Sequence, residues 1–189
     1  MLWIDGVGGF LALTANQVMI GQPSANPEAD IAVMADISRR HAAIVRDAES
    51  YLLAAYRETR VAGRAVVEPT PLADEAEIEL GKGVRLRFRR PHAFSRTARI
   101  ELASGHRASP PADAVVLFAE SCVLGPNAAS HVICPMLDRE LVLFRRGDDL
   151  LTRYDGAYFV DGRAVTGACR VGAGSRVASG DFAMSLEPA

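Results

Sequence analysis

Apolar residues in this chain come in short runs, each closed by Gly, Asp, Asn or Pro after roughly 8 to 12 residues, the spacing of an all-β sandwich or barrel. No stretch holds a long helical period. In the clearest run Val84, Leu86 and Phe88 alternate with Arg85, Arg87 and Arg89. A period of two sends neighbouring side chains to opposite faces of a strand, so one face is buried and the other wet. The pattern also predicts strands at residues 2–4, 10–13, 17–20, 30–33, 43–46 and 51–54, the last two joined around Asp47-Ala48-Glu49-Ser50. Residues 61–66 read as a hairpin turning at Ala62-Gly63, and residues 76–80 pair with 84–88 around Gly81-Lys82-Gly83. In that last hairpin Glu77 and Glu79 can face the three arginines. Opposite charges across a strand pair are ordinary, so the arginine face is expected to be solvated rather than a nucleic-acid surface.

The pattern then repeats. Val18-Met19-Ile20-Gly21 matches Cys122-Val123-Leu124-Gly125, and Ile37-Ser38-Arg39-Arg40 matches Leu137-Asp138-Arg139-Glu140. The strand at 42–46 matches 142–146, and Val61-Ala62-Gly63-Arg64 matches Val160-Asp161-Gly162-Arg163. Gly81 and Val84 match Gly180 and Ala183, while Arg99-Ile100-Glu101 matches the opening Trp3-Ile4-Asp5. The order is kept at an offset of roughly 100 residues, which means duplicated domains and not a solenoid. The boundary is expected near residues 90–96, marked by Pro91. One domain then covers residues 1–93 and a second covers 94–189, with the loop 105–113 inside the second.

Composition narrows the class. Of 189 residues 49% are hydrophobic, enough for a core in each half, and the net charge of -2 argues against a general nucleic-acid or membrane-surface role. No apolar run approaches the roughly 18 residues of a membrane span. Residues 1–18 lack a basic n-region and do not read as a signal peptide. Cys122, Cys134 and Cys169 show no Cys-x-x-Cys spacing, so they are expected to be reduced packing thiols of a cytoplasmic protein. His92, His106 and His131 have no ligand spacing, and no metal or cofactor is expected. Gly-x-Ser-x-Gly, P-loop, His-Glu-x-x-His and dinucleotide motifs are all missing, and Asp74-Glu75 and Asp148-Asp149 read as solvated turn pairs. No catalytic residue is assigned.

Candidate chemistry concentrates at Ser38-Arg39-Arg40-His41, a polar cluster that runs into an apolar strand. A loop entering a sheet there holds a hydroxyl and two guanidinium groups at its rim, which suits an anion and most simply a phosphate. Ser-Arg-x-His followed by a short apolar strand resembles the signature of the forkhead-associated (FHA) family, eleven-strand β-sandwiches whose loops bind phosphothreonine peptides. The resemblance covers nearly all of residues 1–93 and, more weakly, the rest. It implies two tandem FHA-like β-sandwiches, the second degenerate. It also implies that Ser38 bonds a phosphate oxygen, that Arg39 contacts phosphate or peptide, and that His41 fixes the loop from within.

Departures from the family pattern are specific. Gly21-Gln22 stands where the family has Gly-Arg, so Gln22 offers a neutral amide in place of a charged clamp. Tyr56 and Arg57 stand at a Thr-Asn or Ser-Asn pair, and Ala62 ahead of Gly63 replaces the Asn of an Asn-Gly turn. The expected phosphopeptide-binding set is Ser38, Arg39, Gln22, Arg57 and Tyr56, supported by Gly21, His41 and Gly63, with Arg57 replacing the arginine missing at position 22. In the second half Pro126 matches Gln22, Asp138 matches Ser38 and Leu141 matches His41. Asp138 and Glu140 would repel a dianion, so that half is not expected to bind phosphate. The expected function is protein–protein interaction through a phosphothreonine-containing partner. The alternative is a phosphate-independent scaffold that has lost recognition; Gln22 and Ala62 favour it, and Ser38 and Arg39 favour the reader.

Overall fold

The computed structural model of the chain describes residues 1–48, 50–92 and 95–188, and these form strands, turns and loops with no helix among them. The expected all-β class is what the chain adopts. The first half contributes β1 (Leu2–Ile4), β2 (Gly8–Leu13), β3 (Gln17–Gly21), β4 (Ile31–Val33), β5 (Ala42–Asp47), β6 (Ser50–Ala55), β7 (Thr59–Val61), β8 (Arg64–Ala65), β9 (Thr70–Pro71), β10 (Glu77–Leu80) and β11 (Val84–Arg89). The second contributes β12 (Ala98–Leu102), β13 (Ala108–Ser109), β14 (Ala114–Leu117), β15 (Ser121–Gly125), β16 (Val132–Ile133), β17 (Leu141–Arg146), β18 (Asp149–Tyr154), β19 (Tyr158–Val160), β20 (Arg163–Val165), β21 (Ala168–Val171), β22 (Arg176–Ser179) and β23 (Phe182–Leu186). No helix among the described residues is long and apolar enough to cross a membrane.

Three sheets result. One has twelve strands in the order β20-β19-β22-β23-β1-β2-β14-β12-β11-β10-β7-β8. The others are six-stranded, β13-β4-β3-β5-β6-β9, and five-stranded, β16-β15-β17-β18-β21. The long sheet is a palindrome of the duplication: β8, β7, β10, β11, β12 and β14 run inward from one end as β20, β19, β22, β23, β1 and β2 run from the other. The halves meet at the parallel pair β2–β14.

Two cores sit against this sheet. One joins Val18, Ile20, Ile44, Tyr51 and Leu53 of the six-stranded sheet to Leu86, Phe88, Ile100, Val115 and Leu117. The other joins Cys122, Leu124, Leu141 and Leu143 of the five-stranded sheet to Leu2, Ile4, Phe10, Val116 and Met184. Along β14, Val115 and Leu117 enter the first core while Ala114 and Val116 enter the second, and all four residues are buried. β2 divides its side chains in the same way, Leu11 to the first and Phe10 to the second. An unbroken apolar run is the signature of a strand covered on both faces. Each large side chain so covered stabilises the fold by about 1.5–3 kcal/mol.

The cores do not divide the chain into the halves 1–93 and 94–189. Residues 93 and 94 themselves lie outside the described residues. β12 pairs with β11, the last strand of the first half, and β1 pairs with β23, the last strand of the second. Each half thus gives its opening hairpin to the other's sheet. A short connection makes β12 the natural antiparallel neighbour of β11. β1 and β2 then complete the edge that β23 would otherwise expose. The loop expected inside the second half also crosses over: β13 pairs with β4, and Met34 N–H donates to the Arg107 carbonyl at 2.8 Å. The two-residue strands β9, β13 and β16 are loop backbone drawn onto sheet edges, too short for a period to mark them, though β16 places Val132 in the second core.

The arginine face of β11 is solvated, as its alternation predicts. Glu77 and Glu79 stand opposite Arg87 and Arg85, Arg85 reaches Glu77 at 4.0 Å, and Arg89 reaches Glu75 at 2.9 Å.

At the seam between the cores two histidines distant in sequence come together. His131 is fully buried, its ring stacks on His92 with centroids 6.1 Å apart, and its Nδ1 accepts from Val123 N–H at 2.9 Å. Arg99 Nη1 donates to the His131 carbonyl at 2.8 Å. Burial, reinforced by the charges of His92 and Arg99, pushes the imidazole down to about 4. Its folded value lies below its unfolded one, so its contribution is fully present above about pH 6.5 and is lost as pH falls toward 4. That loss is on the order of 3 kcal/mol. His131→Asn keeps an acceptor for Val123 N–H and removes the titration. The urea midpoint of the parent chain should therefore fall further between pH 7 and pH 4.5 than that of the variant; equal falls would show that another group governs the acid response.

Candidate functional site

The Ser38 loop is held by a close approach of two backbones. Gly21 ends β3 beneath residues 38 and 39, where any Cβ would overlap the Arg39 carbonyl oxygen. Glycine is required there for space. With that approach secured, Gln22 N–H donates to the Ser38 carbonyl at 3.1 Å and His41 N–H to the Ile20 carbonyl at 2.9 Å. The buried Ile37 anchors the start of the loop in the first core.

His41 ties this loop to a second one. Its ring is buried; Nδ1 accepts from Ser38 N–H at 3.3 Å, so Nε2 carries the proton and donates to the Glu58 carbonyl at 2.8 Å. Its own carbonyl accepts from Tyr56 N–H at 2.9 Å and Arg57 N–H at 3.1 Å. Gly81, at φ +53°, lies against the ring's Cε1. A single imidazole therefore sets the spacing of the Ser38 and Tyr56 loops.

Of the expected site residues, Ser38, Arg39, Gln22, Tyr56 and Arg57 are brought to one end of the first core by these bonds. Ser38 and Gln22 are half-buried, while Arg39, Tyr56 and Arg57 are exposed. Arg57 Nη1 donates to the Tyr56 carbonyl at 2.8 Å. Arg40, not among the expected residues, places its guanidinium 5.7 Å from the centre of the Tyr56 ring, a cation–π distance that joins the loops from outside. The Arg-Arg doublet ahead of His41 was the only sign of it in the sequence. Among the described residues no carboxylate pairs with Arg39, Arg40 or Arg57.

Gly63 serves a different place. Ala62 and Gly63 turn β7 into β8 with φ of +48° and +76°, and Ala62 N–H donates to the Glu77 carbonyl at 2.9 Å. Among the described residues this turn makes no hydrogen bond to the Ser38 loop. Its duplicate, Asp161-Gly162, has φ of +52° and +76°.

The matching rim of the second half is built from other groups. Leu141 faces Tyr154 across β17 and β18 as Ala42 faces Ala55 across β5 and β6. The strand at 42–46 therefore corresponds to 141–145, and Glu140, not Leu141, precedes it where His41 precedes β5. Arg139 Nη1 is held by Asp155, at 3.2 Å to the carboxylate and 2.9 Å to the carbonyl. The Tyr154 hydroxyl donates to the Asp138 carboxylate; this bond holds Asp138 below the usual carboxylate range and pushes the Tyr154 phenol up. Cation and anions are thus already matched within this rim.

Among the described residues no group of three or more His, Cys, Asp and Glu side chains is placed to hold a metal. No family model, no curated protein and no solved structure matches the chain.

Proposed function

We propose that the Ser38 rim reads phosphothreonine in a partner protein, in the manner of the FHA family that its Ser-Arg-x-His motif resembles. The observation that carries this reading is the contrast between the two rims. Arg39, Arg40 and Arg57 have no carboxylate partner among the described residues beside the half-buried Ser38, whereas the duplicate rim spends its arginine on Asp155. A phosphate group adds about -1.5 to -2 charges and three acceptor oxygens, which matches unpaired guanidinium groups and a hydroxyl. Gln22 lends an amide, and Arg57 supplies the charge that Gln22 lacks.

A second reading, a scaffold that binds its partners without phosphate, draws on the neutral Gln22 and on Ala62, a methyl side chain in a left-handed turn. The two readings differ in what a titration shows. A degenerate phosphothreonine peptide pool should bind the chain saturably while the unphosphorylated pool does not. Hydrogen bonds to charged groups contribute about 1.5–3 kcal/mol, so Ser38→Ala, Arg39→Ala and Arg57→Ala should each weaken binding by roughly tenfold or more. Asp138→Ala, in the other rim, should leave it unchanged. If Ser38→Ala abolishes binding and Arg57→Ala does not, Arg57 is not the substitute cation. Equal affinity for both pools supports the scaffold.

Restoring the family's residues gives the converse expectation. Gln22→Arg should tighten phosphopeptide binding by about tenfold, since a charge-assisted bond is roughly twice as strong as a neutral one. Ala62→Asn should raise thermal stability by about 0.5–1 kcal/mol, because Asn tolerates the left-handed conformation better than Ala. An Ala62→Asn chain no more stable than its parent would show that the turn is already relaxed.

A further inference from the structure

The duplication provides an internal comparison of how the two cores are closed at the end away from the rims. Arg46 faces Tyr51 across β5 and β6 as Arg145 faces Leu150 across β17 and β18. Ile78 pairs with Val61 and Leu86 as Val177 pairs with Val160 and Met184, so Leu86 corresponds to Met184. Two residues on, Phe88 pairs with Ile100 on β12 as Leu186 pairs with Leu2 on β1, which places Ile100 opposite Leu2 in the repeat and not opposite Ile4, its match in the sequence pattern. Tyr51 and Phe88 of the first core therefore correspond to Leu150 and Leu186 of the second.

In the first core these residues form a plug. The Tyr51 and Phe88 rings lie 5.1 Å apart at 59°. The Tyr51 hydroxyl donates to the Arg96 carbonyl at 2.6 Å and accepts from Arg46 Nε at 3.0 Å. Arg46 also reaches the Asn16 side chain at 3.2 Å and the Phe118 carbonyl at 3.1 Å. In the second core both aromatic rings are replaced by leucine. Arg145 is exposed, and among the described residues its guanidinium has no hydrogen bond or ion pair. A cavity of about 360 Å³ opens where the plug would be, walled by Leu2, Val116, Phe118, Cys122, Leu143 and Leu150. Among its lining residues are the charged Arg145, Asp148 and Glu187.

We propose that this cavity is a binding site for a small, neutral, largely apolar molecule with one hydrogen-bonding end. Its volume lies within the roughly 300–1,000 Å³ of small-molecule sites, and its walls are largely apolar. Unfilled apolar space destabilises a core in proportion to its volume, so an occupant replaces contacts that the lost rings no longer make. Arg145 stands with Asp148 and Glu187 in this lining, so neither an anionic nor a cationic head meets a field of one sign, which favours a neutral ligand. The site lies in the second core, away from the Ser38 rim, and does not depend on phosphopeptide reading.

The test uses the whole chain and the fluorescent probe 1-aminoanthracene, displaced in turn by 1-decanol, decanoate and decylamine. Saturable probe binding is expected, with 1-decanol competing at least tenfold better than either ionic compound. The double variant Leu150→Tyr, Leu186→Phe rebuilds the plug of the first core and should raise the thermal midpoint while weakening probe binding at least tenfold. If it does not fold, Leu150→Phe alone should weaken binding. Absent saturable binding, binding indifferent to the rebuilt plug, or a preference for an ionic competitor would each overturn the proposal.

Discussion

Burial on both faces of β14, and of Gly9 to Leu11 in β2, is the constraint on which the rest of the molecule depends. A strand that feeds alternate side chains into two cores cannot shift register by one residue without exchanging Leu11 for Phe10, or Val115 for Val116, between them. The parallel pairing of these strands locks one register to the other. The exchanged hairpins follow from the same pair, because β1 and β12 flank it and continue the sheet outward to β23 and β11. Neither core is closed without residues from both ends of the duplication. The seam residues His131 and Arg99 lie where that mutual dependence leaves polar groups enclosed.

The two rims differ while their frames agree. Gly21 and Gly125 both end a strand beneath a neighbouring loop that a Cβ would strike. The glycine-sized gap therefore persists in both halves. What fills the rim is free to change, because exposed side chains there are not fixed by packing. One rim retains uncompensated guanidinium groups; in the other Arg139, Asp155, Asp138 and Tyr154 satisfy one another. The ends of the cores opposite the rims have diverged in the reverse sense, with the first sealed by Tyr51, Phe88 and Arg46 and the second left open.

The strands were legible where a local period writes them: the alternation of Val84 to Phe88, the run from Val115 to Leu117, and the turn residues at Gly63 and Gly81. The duplicated order was legible too, since equivalent strands keep equivalent side chains. Which half each opening hairpin serves was not, because Leu2 and Ile100 occupy equivalent places and either would fit either core. Nor was the one-residue shift that aligns Leu141 with Ala42, since adjacent apolar residues at 141–143 match the strand in two frames and only pairing with Tyr154 decides between them. At the rim, Ser38, Gln22, Tyr56 and Arg57 gather near His41 through backbone bonds and its buried ring. The stacking of Arg40 on Tyr56 depends on a contact between loops, and no local pattern encodes it.

The pairing of β1 with β23 has a mechanical side. Leu2 stands opposite Leu186, and Met1 and Glu187 exchange hydrogen bonds in both directions, so the two ends of the ladder leave from the same point. Tension applied between residues 1 and 187 would meet that antiparallel ladder end-on. Its bonds would break one after another, as a zip does, and not together as they do under shear. Peeling would run through β1 into β2, whose Leu11 and Phe10 hold both cores at once. A modest pull at the ends would therefore loosen both cores together, while the same pull across β10 and β11 would disturb only the first.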